Sequence, residues 1–189
     1  RAKVLEMGTL VEEQTANAVK SLLNTDIKLA EEVMKRDVQI NDLEVAIDEE
    51  TSLLIAKRSP AAGDLRNIMM MLKIITDLER MGDEAAKIAR STTRIFEDNR
   101  MSKPRFTEIK GMAKAVQGMI KTALNSFARL DLSDTIDILE KDKQVDDDYR
   151  SCMRQLLTFM LEDPRTISMS LESMFIAKSL ERIGDHAVN

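Results

Sequence analysis

The sequence predicts an all-α fold made of two pseudo-symmetric three-helix bundles, and four observations carry that prediction. Helix-forming residues (Leu, Ile, Ala, Met, Glu, Lys and Arg) fill the chain, whereas aromatics make up 3% and tryptophan is absent. No stretch alternates apolar and polar residues with the β-branched enrichment of a strand. A six-residue phrase occurs twice: Leu78-Glu79-Arg80-Met81-Gly82-Asp83 returns as Leu180-Glu181-Arg182-Ile183-Gly184-Asp185. Finally, the only prolines are Pro60, Pro104 and Pro164. Proline lacks the N–H that a helix interior needs and restricts the residue before it, so these mark breaks between helices.

In chain order, helical periodicity covers roughly 1–24, 37–57 and 62–98, then 105–130, 142–162 and 165–189. A short separate helix is expected over 26–36 and another over 133–141. The best linker is Asn99-Arg100-Met101-Ser102-Lys103-Pro104. It divides the chain into a first repeat over 1–100 and a second over 104–189. The halves align throughout. Asp37-Val38-Gln39-Ile40-Asn41-Asp42 parallels Asp142-Lys143-Gln144-Val145-Asp146-Asp147, and Pro60 parallels Pro164. Matching order and spacing point to an internal duplication. Short connections favour antiparallel neighbours, hence an up-down-up bundle in each half. The pattern opens at once and is unfinished at Asn189, as trimmed or disordered ends would leave it.

Apolar residues make up 43% of the chain, enough for a core, and charged residues 32%. The net charge is −5 and the pI near 5.1, which argues against a domain that grips phosphate backbones directly. The single cysteine, Cys152, has no partner for an internal disulfide and fits a reducing compartment. It stands among Met153, Leu156 and Leu157, the setting of a buried, inert thiol. No apolar run approaches the roughly 18 residues of a membrane span, and no secretory signal is visible.

The chemistry lies in the repeated phrase. Leu65, Ile68, Leu72 and Ile75 step along one helix face, and the same line continues to Glu79 and Asp83. Ile167, Leu171, Met174 and Ala177 lead in the same way to Glu181 and Asp185. Carboxylates on a core-facing line cost desolvation energy unless a cation compensates, and the candidates are a metal ion or Arg and Lys from elsewhere. Arg80 and Arg182 follow each Glu directly. Neighbours on a helix point about 100° apart, so each Arg should reach a different helix or subunit. The middle helices add Asp37, Asn41, Glu44 and Asp48 on one line, with Asp142 and Asp146 on the other. Clustered oxygen ligands suit hard cations, and the lack of matching His and Cys disfavours a structural zinc site.

Gly82 and Gly184 stand inside helices at a cost of roughly 1 kcal/mol each, which close helix packing would explain. His186, the only histidine, has Glu84 at its counterpart position and reads as a surface or packing residue. The thirteen methionines, Met69, Met70 and Met71 included, read as core filling. No Gly-x-x-x-x-Gly-Lys loop, His-Glu-x-x-His motif or Ser-His-Asp set is present, so nothing positions a nucleophile.

The stretches Thr76 to Asp83 and Ala177 to Asn189 resemble the paired signatures of the PhoU family, bacterial accessory proteins of phosphate signalling. Asp37 to Asp48, Asp142 to Tyr149 and Glu162-Asp163-Pro164-Arg165-Thr166-Ile167-Ser168 extend the resemblance over almost the whole chain. The resemblance implies two multinuclear metal sites marked by Glu79/Asp83 and Glu181/Asp185, with Asp37, Asp142 and Asp146 as further ligands. Iron, manganese, zinc or magnesium are the implied ions. Asn41 in place of an acid matching Asp146 implies that the two sites differ. The resemblance further implies a non-enzymatic negative regulator of the phosphate-starvation response, cytoplasmic, homodimeric and at the membrane only through partners. Those partners would be a PhoR-like sensor histidine kinase and the PstB-like ATPase of the phosphate transporter. It also implies a last helix longer than the one ending at Asn189. The alternative is a metal-dependent hydrolase or metal-buffering protein built on the same carboxylates.

Overall fold

The computed structural model describes residues 1–97 and 106–189, and the expected linker around Pro104 lies outside them. The chain forms α1 (Ala2–Asn24), α2 (Ile27–Arg58), α3 (Ala62–Glu97), α4 (Thr107–Arg129), α5 (Thr135–Glu162) and α6 (Ile167–Val188). A 3-10 turn over Pro164–Thr166 leads into α6. Among the described residues there is no strand. α1, α2 and α3 pack as one three-helix bundle, and α4, α5 and α6 as its pseudo-symmetric counterpart.

The turns repeat with the bundles. Thr25 ends α1 in the left-handed conformation (φ 58°) and Leu130 ends α4 in the same way (φ 55°). After each, the next N–H reaches back to close the helix end: Asp26 to the Ser21 carbonyl at 2.9 Å, and Asp131 to that of Ser126 at 3.1 Å. Asp26 then opens α2 by accepting from the Leu29 N–H at 3.0 Å.

The short helices expected over 26–36 and 133–141 are not separate. α2 and α5 run straight through, 32 and 28 residues long. Ala30, Val33, Ile40 and Ile47 form one buried line across the expected break, and Ile138, Val145, Cys152 and Leu156 form the other. Lys35 and Arg36 lie on the outer side of a continuous helix, Asp37 turns toward α3, and the run contains no helix breaker. Met69 and Met70 also depart from expectation, at 56% and 43% exposed. The cause is length. α1 has 23 residues against 32 in α2 and 36 in α3, so the α2–α3 hairpin overhangs its third helix by about 14 Å. The overhang leaves Leu65 exposed, and the α5–α6 tip exposes Ile167 and Leu171.

The two halves meet along α3 and α6, which run antiparallel, and along α1 and α4. Gly8 lies at the second contact, where a Cβ would fall 2.3 Å from Leu124 Cδ2 and oblige that side chain to shift. At the α3–α6 seam the buried Glu84 carboxylate meets Arg182 Nη1 at 2.8 Å and Lys87 Nζ at 3.0 Å. Arg182 therefore does reach another helix, whereas Arg80 is exposed. His186 Nδ1 lies 2.9 Å from Asp77 Oδ1, and Arg94 reaches Glu172 at 3.4 Å. His186 is thus a packing residue of the seam.

Gly82 and Gly184 occupy equivalent positions with different clearance. A Cβ on Gly82 would fall 2.8 Å from Cδ1 of the buried Ile40, whereas one on Gly184 would meet nothing nearer than Asp142 Oδ1 at 3.5 Å. Gly82→Ala is expected to destabilise the protein by about 1 kcal/mol, overpacking outweighing the gain in helix propensity. Gly184→Ala should stabilise it by roughly 0.5–1 kcal/mol. Urea unfolding of the two variants checks this, and equal shifts would contradict it.

Candidate metal centres

Each half carries its acids at the contact of its second and third helices, close to Gly82 in the first half and Gly184 in the second. In the second half, carboxylate oxygens of Asp146, Glu181 and Asp185 lie within 4.8 Å of one another. Asp146 comes from α5 and the other two from α6, one turn apart. Asp142, one turn before Asp146, places Oδ1 beside Gly184. Burial raises the Asp142 carboxyl above its ordinary value, and the charges of Asp185, Asp146 and Glu181 raise it further. All four residues expected from the sequence therefore share one neighbourhood.

A cation of the protein's own already stands there. Lys178 donates to both oxygens of Glu181, at 2.7 and 2.6 Å, and lies over the Tyr149 ring at 5.3 Å from its centre. The hydrogen bond to Glu181 raises the Lys178 pKa against the opposing effect of burial, and the charges of Glu181, Tyr149 and Asp185 add to the rise. Sequence reasoning missed both residues. The signal was Lys178 three places before Glu181, a spacing that puts the pair on one helix face.

In the first half Asp37, Glu79 and Asp83 are neighbours, joined by Glu44. No three of their carboxylates gather within 4.8 Å, and the cluster in the second half is the one such group among the described residues. They still act on one another. Burial raises the Glu79 carboxyl, followed by repulsion from Asp83, Glu44 and Asp37, with Arg80 opposing. The Asp37 carboxyl is raised by burial and by Asp83, with Arg90 opposing, and that of Glu44 by burial, Asp48 and Asp83. Asp37 Oδ1 and Asn41 Oδ1 are buried without a hydrogen-bond partner, and Asp37 Oδ1 would lie 3.4 Å from a Cβ on Gly82. Buried acceptors left without donors cost about 1–3 kcal/mol each, and a bound cation would satisfy them.

The halves thus differ in composition. Glu44 and Asn41 in the first stand where the second has Tyr149 and Asp146, and Thr76 stands where the second has Lys178. Both donor sets are mostly oxygen and fit magnesium, manganese or ferric iron better than the nitrogen and sulfur preference of zinc. Cys152 takes no part: it is buried, and burial, with the charge of Glu108 adding to it, pushes its thiol up to about 11.

The PhoU domain matches the chain twice, over residues 4–92 and 109–189. The chain belongs to the PhoU family. It is 44% identical over 190 residues to a phosphate-specific transport system accessory protein PhoU homolog of Pseudomonas aeruginosa, covering all of this chain and 78% of that protein. The phosphate-specific transport system accessory protein PhoU of Escherichia coli is 40% identical over 189 residues, covering all of this chain and 78% of that protein. The crystal structure of PhoU from Pseudomonas aeruginosa superposes with a TM-score of 0.95, over all of this chain and 90% of that one. The phosphate transport system regulatory protein PhoU from Streptococcus pneumoniae gives 0.89 at 28% identity, over all of this chain and 87% of that one. The PhoU relatives are named as accessory or regulatory proteins, none as an enzyme. Among the described residues no helix is long and apolar enough to cross a membrane.

Carboxyls raised in the fold bind protons more readily folded than unfolded. The stability they withhold is lost as pH rises through the interval between the two values and restored below the unfolded one. In chelator at neutral pH, Glu79→Gln should therefore melt at a higher temperature than the parent. The gap should close on acidification below the ordinary Glu value of 4.5. Thermal melts followed by circular dichroism across that range test this, and a gap that does not change with pH would refute it.

Proposed function

We propose that this protein is a cytoplasmic adaptor of a phosphate-specific transport system and a negative regulator of the phosphate-starvation response. It would link the transporter's ATPase to a sensor histidine kinase, with one carboxylate metal site in each half. The observation that carries this reading is the likeness of the whole of this chain to 78% of an accessory protein of that system, at 44% identity. The convergence of Asp146, Glu181 and Asp185 supports the metal site of the second half. The orphaned oxygens of Asp37 and Asn41 support that of the first.

In this reading Asp142, Asp146, Glu181 and Asp185 hold the ion of the second half, and Asp37, Glu44, Glu79 and Asp83 that of the first. A bound ion supplies positive charge that relieves the repulsion among these acids and ties the second helix of each bundle to the third. The chain's own part is to hold the acids part-way out of water, with Asp37 and Asp142 seated beside Gly82 and Gly184 at the helix contact. Lys178 competes for Glu181, which makes the second site the weaker competitor for its charge.

Two experiments test the proposal. Glu181→Ala with Asp185→Ala should keep the helical circular dichroism signal, lose one class of manganese sites in calorimetric titration, and bind the kinase sensor region about tenfold more weakly. Unchanged manganese and kinase binding would remove the second site from the mechanism. Phosphoester turnover that scales with metal content would favour the hydrolase instead. Lys178→Met should tighten manganese binding in the second half by about tenfold, since Glu181 loses a tethered rival. Weaker binding in the same titration would mean that Lys178 supports the site.

A further inference from the structure

Five exposed cations stand on α3 at seven-residue steps: Arg66, Lys73, Arg80, Lys87 and Arg94. At 1.5 Å per residue, successive members lie about 10 Å apart and the row runs about 42 Å. In a chain of net charge −5, this is a local reversal of sign. The fold does not require it, because the corresponding positions of α6 are Ser168, Phe175, Arg182 and Asn189, with one cation among them. Lys87 and Arg94 have internal partners in Glu84 and Glu172. Among the described residues Arg66, Lys73 and Arg80 make no ion pair.

The seven-residue step says what shape fits. Seven residues fall about 20° short of two full turns, so the row winds steadily around α3, by about 80° from end to end. A second helix crossing at about +20° follows that drift, whereas a flat anionic surface meets only part of it. We infer that this row is a docking surface for an acidic α-helix of a partner protein, one that carries Asp or Glu at seven-residue steps. A second copy of this chain does not match, because none of its helices carries more than two acids in succession at that step. Met69 and Met70, exposed beside Arg66 and Lys73, add adaptable apolar contact at one end of the row. Arg80 adjoins the first candidate metal centre through Glu79, whereas Arg66 and Lys73 carry the row beyond it.

The probe is a synthetic helical peptide with Glu at four successive seven-residue positions, alongside an isomer of equal composition with those Glu residues scattered around the helix. In fluorescence anisotropy at low salt the aligned peptide should bind about tenfold more tightly than the isomer. Arg66→Glu with Lys73→Glu should abolish that advantage. Lys110→Glu with Lys114→Glu, an equal charge change on the exposed side of α4, should leave it intact. Circular dichroism confirms that both variants fold. Equal binding of the isomer, or equal loss in the α4 variant, would reduce the row to diffuse attraction and overturn the assignment. Binding to phosphatidylserine vesicles but not to the aligned peptide, lost with Arg66 and Lys73, would overturn it in favour of a membrane surface.

Discussion

Several carboxylates per half are held side by side and part-way out of water, and much of the molecule is arranged around that constraint. Like charges at the edge of a core repel one another and lose solvation, so the fold works against itself at these points. The raised carboxyls of Asp37, Glu44, Glu79 and Asp142 record that cost. Tight packing elsewhere offsets it. Ile40 and Ile75 are almost fully buried in the first bundle, as are Met119 and Ile183 in the second, close to the acids they support.

The two copies have settled the problem differently. The second gathers three carboxylates closely and sets a lysine among them. The first keeps its acids further apart, places an amide where the other copy has an acid, and leaves two buried oxygens without donors. A duplicated scaffold permits this because each cluster lies within its own bundle, and what joins the bundles is separate chemistry. The seam has its own buried carboxylate, Glu84, satisfied by Arg182 across the interface and by Lys87 on its own helix. An acid buried at 3% exposure between two half-exposed cations ties the halves together without drawing on either cluster.

The fold was legible because period and punctuation agree. The apolar lines, the prolines and the repeated phrase each call for six long helices in two sets. The break expected between 36 and 37 is absent, because charged residues such as Lys35 and Arg36 continue a helix wherever the apolar line beneath them is unbroken. The acids of the candidate centres were legible from their place on apolar lines. Lys178 carried a signal in its place three residues before Glu181, whereas Tyr149 did not, because its position over Lys178 depends on how α5 rests against α6, which no spacing within one helix reveals. The exposure of Met69 and Met70 was hidden for a related reason: it comes from the relative lengths of α1, α2 and α3, not from any local pattern.

That difference in length has a mechanical side. Where three helices pack together the molecule is braced, and where only two remain, at the α2–α3 and α5–α6 tips, each turn has lost a neighbour and local opening costs less. Because α3 and α6 run antiparallel, the two unbraced prongs point in opposite directions from a rigid waist. A load applied to both would meet its compliance at the ends and its resistance in the middle.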